Sequence, residues 1–285
     1  MKKQAPLCIG IGDFGSQIAE ELFEAKAIEP KICACHYKET NLNKIKVSNK
    51  IMLNEDLRER DESSIVSQKT FTELFHALPQ MVFLMANTNE SWSRKAFIHL
   101  AKKAKHEGHM TIAIIYSETS SSDFYSQWET DPNECINALF IHRDNDSKEK
   151  EIQTSTLTDF SAFATDVIKT FTAITDPSAF IRFDTHELSS LLTDCTTPII
   201  SEAIANGKNR SLKAIEKAYT DEMIGSRNIL LFIQSGKKEE VTMDEIGYMI
   251  SHLDGLIPNA SSIGWGTGIV SELNDEIKII IIASK

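Results

Sequence analysis

Three glycines near the amino terminus, Gly10, Gly12 and Gly15, have the spacing G-x-G-x-x-G. In such a loop, between a buried strand and a helix, the backbone can approach a phosphate, which the unpaired N–H groups of the helix start then bind. We therefore treat the glycines, together with Asp13 and Phe14 between them, as candidate nucleotide contacts. The alternative is that the glycines only let the helix pack closely on the strand.

The next apolar run covers residues 31 to 37, KICACHY, and ends with His36 and Tyr37. A dinucleotide-binding unit places an acidic residue at the end of this second strand. Because none is present, an NAD-type enzyme is the weakest of the alternatives. Cys33 and Cys35 fall on one face of the strand, and we expect them to be packing residues rather than metal or redox ligands.

A second candidate loop, residues 87 to 91, follows the apolar run from Met81 to Met85. A second such run, Thr111 to Ile115, is typical of a parallel strand buried on both faces, and the residues between the two runs have helical periodicity. The loop therefore stands at the carboxyl end of a strand and the amino end of a helix. An open α/β sheet binds its ligand at such a point.

The remaining pattern predicts a parallel sheet of about five strands in the first half and an α+β arrangement in the second. First-half predictions are strands at Leu7–Ile11, 31–37, 51–53 and 138–142, a helix at 70–78 and a loop at 117–132. Second-half predictions are helices at 157–174, 185–192 and 212–219, a helix opened by the capping box Thr242–Glu245, and strands at 228–234, 260–265 and 277–283. We expect the last two strands to form a hairpin, and Gly264, Gly266 and Gly268 to serve its turn.

Composition excludes several classes of protein. The chain has 285 residues, 41% of them apolar, and a net charge of −11, which disfavours a nucleic-acid surface. We expect no signal peptide, no membrane segment and, since His106 and His109 lack the i, i+4 spacing of a zinc helix, no metal. Five cysteines without C-x-x-C pairs suit a reducing cytoplasm.

Several segments together resemble the FtsZ and tubulin superfamily. They are MVFLMA from Met81, KKAKHEGHMTIAII from Lys102, FATDVIKTFTAI from Phe163, and the closing runs IGYMISHL, ASSIGWGTGI and LNDEIKIIIIAS. The resemblance covers nearly the whole chain. It implies an α/β fold with a Rossmann-like parallel-sheet amino-terminal domain (1–156), a long central helix (157–176) and an α+β carboxyl-terminal domain (177–285).

The family binds the phosphates of GTP with a glycine-rich signature, and an ungapped alignment places seven other residues there. This altered phosphate loop is Asn89, Glu90, Ser91, Trp92, Ser93, Arg94 and Lys95. Side-chain-bearing residues would cost about 1–2 kcal/mol at each position that needs positive φ. A plain structural reading is that Asn89 or Ser91 caps the helix while Glu90 places a carboxylate at its positive end.

Other family positions can be carried over one at a time. Asp144 or Asn145 and, on the central helix, Asp166 would contact the guanine base, and Ser161 stands where the family stacks an aromatic ring on it. Catalysis in the family requires acids that a second subunit supplies, and Asp184 and Glu187 match those positions. The same two residues read equally as a helix-capping pair.

We interpret the chain as an FtsZ-like protein that acts through protein association, either by forming filaments or by modulating a true FtsZ filament. Lost or weakened GTP binding is expected, with no cofactor beyond GTP or GDP at low affinity. The alternative is an active GTPase that polymerises with GTP. Because the sequence ends directly after the last predicted strand, we expect no membrane recruitment through the carboxyl-terminal peptide that FtsZ uses.

Overall fold

The computed structural model describes residues 5–25, 31–55, 75, 81–118, 121–143, 153–192 and 197–285. Apart from Phe75, the predicted helix at 70–78 lies outside this part of the chain, as do Asp144 and Asn145. The chain divides into two compact units, one from Lys2 to Lys169 and one from Thr170 to Lys285. The helix Gln153–Ile174 contains the point of division.

The first unit is built on a sheet of six parallel strands in the order β3-β2-β1-β4-β5-β6. The strands are β1 Leu7–Ile11, β2 Lys31–His36, β3 Asn49–Met52, β4 Met81–Asn87, β5 Met110–Ser117 and β6 Ala138–Arg143. The central strands are apolar along almost their whole length because both faces are covered, as predicted. The order reverses beside β1 and β4, and that crevice is where such a sheet binds ligands.

Helices follow the strands. They are α1 Gly12–Ala25, α2 Glu39–Leu42, α3 Ser91–His106, the short α4 Ser121–Phe124 and α5 Gln153–Ile174. The inner stripe of α3 consists of Phe97, Leu100, Ala101 and Ala104, all fully buried, as its periodicity predicts. The sheet has six strands where about five were expected, and the six apolar runs predicted as strands all form them. The predicted loop at 117–132 was wrong in part, since it contains α4 and a 3₁₀ turn, Tyr125–Gln127.

The second unit has a mixed sheet in the order β7-β10-β8-β9. Its strands are β7 Ile199–Ala205, β8 Asn228–Ser235, β9 Ser262–Ile269 and β10 Ile277–Ser284, and its helices are α6 Thr185–Leu192, α7 Arg210–Ala218 and α8 Met243–Leu256. One face of β8 and β10 packs with buried residues of α7 and α8. The edge strand β7 was not predicted from the sequence, because its residues are mostly half-exposed and carry no clear period.

The predicted terminal hairpin was wrong. β10 lies between β7 and β8 and is antiparallel to both, whereas β9 pairs in parallel with the other side of β8. The reason is burial: β10 is almost entirely buried, which requires a central position, while β9 takes the edge.

The glycines predicted to form a turn, Gly264, Gly266 and Gly268, instead lie inside β9. A Cβ atom on Gly266 would lie 2.7 Å from the carbonyl oxygen of Ile181 and 3.0 Å from the Phe232 ring. Thr267 and Ile181 exchange two backbone hydrogen bonds here, of 2.7 and 3.0 Å. The glycines therefore permit close approach of another backbone segment to an edge strand, rather than a turn.

A buried arginine joins several elements of the second unit. Arg210 is 3% exposed and donates from Nε to Glu245 Oε1 at 2.9 Å. It also donates to the backbone carbonyls of Glu239, Glu240 and Asp275 at 2.9–3.2 Å. Glu245 belongs to the predicted capping box with Thr242, which is confirmed. Truncating one partner of such a pair leaves an uncompensated buried charge.

Candidate functional site

The three glycines of the first loop have different roles. Cβ atoms on Gly10 and Gly15 would overlap backbone atoms of Gly15 and Met85 respectively, so these two glycines let α1 pack on β1 and β4. Gly12 alone has positive φ, +76°. The packing alternative therefore describes Gly10 and Gly15, whereas Gly12 forms the turn that faces the crevice between β1 and β4.

The crevice beside Gly12 contains two side chains from the start of α3. A Cβ atom on Gly12 would overlap the Ser93 hydroxyl and lie 3.1 Å from Glu90 Oε2. The Ser93 hydroxyl donates to the same Glu90 oxygen at 2.9 Å. Polar side chains of the chain itself thus lie directly against the first glycine loop, where the resemblance places a phosphate.

The predicted capping of α3 by Asn89 or Ser91 was wrong. Glu90 occupies the N-cap position, and no side chain of the described residues caps the backbone N–H groups there. The Asn89 N–H instead donates to the side-chain oxygen of Asn87 at 2.8 Å, which forms a local turn. The carboxylate of Glu90 does stand at the positive end of the helix, as predicted, but it accepts from a hydroxyl rather than from the backbone.

The remaining large side chains of the altered phosphate loop, Trp92, Arg94 and Lys95, contact different parts of the first unit. Trp92 lies over His36 and Tyr37, with ring centroids 5.5 and 4.9 Å away, and donates from its indole nitrogen to the carbonyl of Asn54 at 3.2 Å. Arg94 donates to the carbonyl of Thr88, and Lys95 lies 3.5 Å from the carboxylate of Glu129. The indole ring therefore covers the end of β2, while the two cations are engaged with Thr88 and Glu129.

The end of β2 is connected to the first glycine loop through Asp13. His36 Nδ1 accepts from the backbone N–H of Lys38 at 2.8 Å, so the ring proton of the neutral imidazole is on Nε2. That nitrogen lies 3.2 Å from Asp13 Oδ1, which also accepts from the Asn41 side chain at 2.6 Å. No local pattern in the sequence reveals this link, although a histidine stands at the strand position where an acid was expected.

His36 is 2% exposed, and this burial lowers its pKa below the ordinary value for histidine. The carboxylates of Asp13 and Glu90 act in the opposite direction, but burial dominates. The imidazole is therefore neutral at physiological pH and acts as a fixed donor to Asp13, rather than as a cation that could attract a phosphate.

Aromatic rings occupy the region where the resemblance places the base. Phe14 stacks on Tyr116 with centroids 5.0 Å apart and contacts Phe160 of α5 at 5.3 Å. His142 lies 5.3 Å from Phe163, which continues the cluster along the end of β6. Asp166, the predicted base contact, is exposed on α5. The flanking rings of Phe160 and Phe163 thus pack with side chains of the chain itself.

Asp184 and Glu187 form the capping pair that was the alternative to catalysis. The backbone N–H groups of His186 and Glu187 each donate to Asp184 Oδ1 at 2.8 Å. The Asp184 N–H donates to Glu187 Oε2 at 2.9 Å. This reciprocal box is confirmed, and both side chains are exposed. Their catalytic role in a neighbouring subunit stays a prediction.

Three further features were considered in the described part of the chain: reactive thiols, metal ligands and membrane-spanning helices. Cys8, Cys33, Cys35 and Cys135 are free and buried, and burial raises the pKa of each thiol, so none is activated. Cys195 lies outside the described residues. No group of three or more potential metal ligands occurs among the residues described. None of the described helices is long and apolar enough to cross a membrane.

Comparisons with known proteins agree with this architecture. No family model matches the chain. The cell division protein FtsZ of Aquifex aeolicus (strain VF5) is 22% identical over 309 aligned positions, which cover 97% of this chain and 81% of that protein.

Among solved structures, an empty FtsZ dimer of M. jannaschii aligns with a TM-score of 0.70 at 14% identity and covers 100% of this chain and 89% of that chain. The GDP-bound CetZ1 monomer of Haloferax volcanii aligns with a TM-score of 0.71 at 11% identity, covering 98% and 94%. CetZ2 of the same organism, as a protofilament with GTPγS, aligns with a TM-score of 0.68 at 12% identity, covering 98% and 92%. The chain therefore has the fold of the FtsZ and tubulin superfamily, and its resemblance to a divergent FtsZ-like member is confirmed.

Proposed function

We propose that this chain acts by protein association, as a cytoskeletal or cell-division protein whose binding of GTP is lost or weak. Two relatives of the same fold are described as a dimer and as a protofilament, and the FtsZ dimer is described as empty. The association joins copies of this chain to one another, or joins this chain to the end or side of a true FtsZ filament. The four buried free thiols suit the reducing cytoplasm.

One observation carries the proposal: Glu90 and Ser93 lie against Gly12 in the crevice between β1 and β4. A phosphate entering there would have to displace both side chains. It would also approach the carboxylates of Glu90 and Asp13. Two unit charges of the same sign 4 Å apart repel by about 4 kcal/mol at an effective dielectric constant of 20. The residues that fill the crevice thus oppose the ligand that the fold binds in its relatives.

The test begins with the purified chain. Denaturation followed by nucleotide chromatography should release no stoichiometric guanine nucleotide, and sedimentation should give the same concentration-dependent assembly with and without GTP. Mixing with an FtsZ that assembles with GTP tests the second mode of association. Guanine nucleotide retained at one mole per mole, with ATP unable to replace it, would overturn the loss of GTP binding.

The alternative is a GTPase that receives Asp184 and Glu187 from a neighbouring copy. The exposure of both carboxylates favours this alternative, since an acid that enters another subunit must be accessible. Hydrolysis that rises with protein concentration and disappears in Glu187→Ala would support it. Glu216→Ala, on α7 and also exposed, is the matched control. No dependence of turnover on protein concentration would exclude this mechanism.

A further inference from the structure

A groove lies on the outer side of α3, against residues 127–130, and encloses a cavity of about 80 Å³. Its lining from α3 includes Arg94, Lys95, Ile98 and Lys102. These positions form one stripe of the helix, since side chains three, four and seven residues apart share a face. Ser93 projects from the opposite stripe, where it faces Gly12. The groove is therefore separate from the crevice between β1 and β4.

The groove is locally cationic in an acidic protein. Its described lining residues include three permanent cations, Arg94, Lys95 and Lys102, and the carboxylate of Glu129, whereas the whole chain has a net charge of −11. Arg94 is fixed in place by its hydrogen bond to the carbonyl of Thr88. Lys95 lies 3.5 Å from Glu129 in an exposed ion pair, an arrangement that contributes little stability and can open at small cost. Such a surface attracts anions.

Trp128 forms one wall of the groove. Its side chain is 9% exposed, lines the groove and packs edge-on against Phe97 with centroids 5.3 Å apart. Its indole Nε1 is itself buried, so the residue contributes a rigid wall and not a donor to a ligand in the groove.

We propose that this groove binds a small oxyanion of the phosphate class. The size agrees, because a cavity needs about 10–15 Å³ per water molecule, and 80 Å³ therefore holds a group of phosphate or pyrophosphate size. The guanidinium of Arg94 and the ammonium groups of Lys95 and Lys102 supply the charge. A free oxyanion and one that is part of a larger phosphorylated molecule share this chemistry.

The probe is inorganic pyrophosphate, titrated calorimetrically into the full chain at constant ionic strength, with inorganic phosphate and ATP as further arms. We expect saturable one-to-one binding that Lys102→Gln weakens about tenfold and Glu129→Gln strengthens. Binding of ATP as well as pyrophosphate would indicate a phosphorylated small molecule, whereas binding of pyrophosphate and phosphate alone would indicate a free anion.

Lys103→Gln is the matched control, since Lys103 lies on α3 outside the groove and pairs with Glu107 at 2.9 Å. It should leave pyrophosphate binding unchanged, as should Glu90→Gln in the crevice. Thermal unfolding of each variant verifies that it is folded. Equal weakening by Lys103→Gln would show a non-specific charge effect, and a change in affinity with Glu90→Gln would place the anion in the crevice. Either result, or an absence of saturable binding, would overturn the proposal.

Discussion

An acidic residue directly precedes each of the two helices α3 and α6, and the two carboxylates accept different hydrogen bonds. At α6, Asp184 accepts from two backbone N–H groups at 2.8 Å, and Glu187 accepts from the Asp184 N–H. At α3, Glu90 accepts from the Ser93 hydroxyl and caps no backbone group. The α6 start is completed by residues three positions apart, whereas the α3 start is arranged around Gly12 from another loop.

The two helix starts differ in what holds their acidic residues in place. The α6 start is a local device that stabilises a helix, and it leaves two exposed carboxylates. The α3 start fills a crevice between strands, so its side chains are held by a tertiary contact with the first glycine loop. A substitution at α6 should therefore act through helix stability, and a substitution in the crevice should act through the packing of two loops.

The largest loss of stability is expected for Gly12→Ala, which would break the contact between the two loops. The new methyl group would meet Ser93 and Glu90 while the backbone stays at φ +76°. We expect a loss of about 2–4 kcal/mol in the free energy of unfolding, measured by urea denaturation.

Gly108→Ala is the control for this substitution, because Gly108 has φ +78° but no atom within 4 Å of an added Cβ. It should lower the free energy of unfolding only by the cost of placing an alanine at positive φ, about 1–2 kcal/mol. Adding Ser93→Ala to Gly12→Ala should recover part of the loss. Equal losses for the two alanine substitutions would show that Glu90 and Ser93 do not fill the crevice.

The variants Asp184→Ala and Glu90→Ala compare how much the acidic residue at each helix start contributes to stability. Asp184→Ala removes the acceptor of two backbone N–H groups and should lower the free energy of unfolding by about 1 kcal/mol. Glu90→Ala removes only a hydroxyl contact and should lower it by less. Chemical denaturation of both variants under the same conditions checks the order. A larger loss for Glu90→Ala would mean that Glu90 is the more important cap.

The smallest expected effect is a pH dependence that arises at His36, beside the first glycine loop. Burial lowers the pKa of His36 in the folded state, so below about pH 6.5 the unfolded chain binds more protons than the folded one. The stability that the neutral ring contributes is present above the unfolded pKa and is lost as the pH falls below it.

The variant His36→Gln should lose less stability than the parent chain between pH 7.5 and 5. His99 and His109, whose pKa values burial also lowers, contribute equally to both proteins. The measurement is urea denaturation across this pH range. Parallel pH profiles for parent and variant would contradict the buried, neutral state of His36.

The sequence predicted those elements whose pattern lies within a few consecutive turns or residues. The strands β1, β4 and β5, the inner stripe of α3, and the capping boxes at Asp184 and Thr242 follow from apolar periodicity and from residues three positions apart. It was insufficient where pairing is long-range. The order of β9 and β10 depends on which strand is more buried, and turn residues between them do not reveal it.

In the candidate site, too, local features were predictable from the sequence and long-range contacts were not. Glycine spacing located the first loop, but it did not separate the packing glycines Gly10 and Gly15 from Gly12. The contacts of Asp13 with His36 and of Phe14 with Tyr116 join residues about 20 to 100 positions apart in sequence, so no local pattern contains them. The groove beside Trp128 likewise combines a basic helix face that the sequence shows with a segment that was read as loop.

The most direct test of the central claim is a calorimetric titration of GTP into the Lys102→Gln protein, in which the groove on α3 is weakened and the crevice is intact. We expect no saturable heat with GTP or GDP in the micromolar range, and the same sedimentation with and without nucleotide. One-to-one binding of GTP that ATP does not reproduce, in this protein, would show that the crevice is a nucleotide site and would contradict the loss of GTP binding.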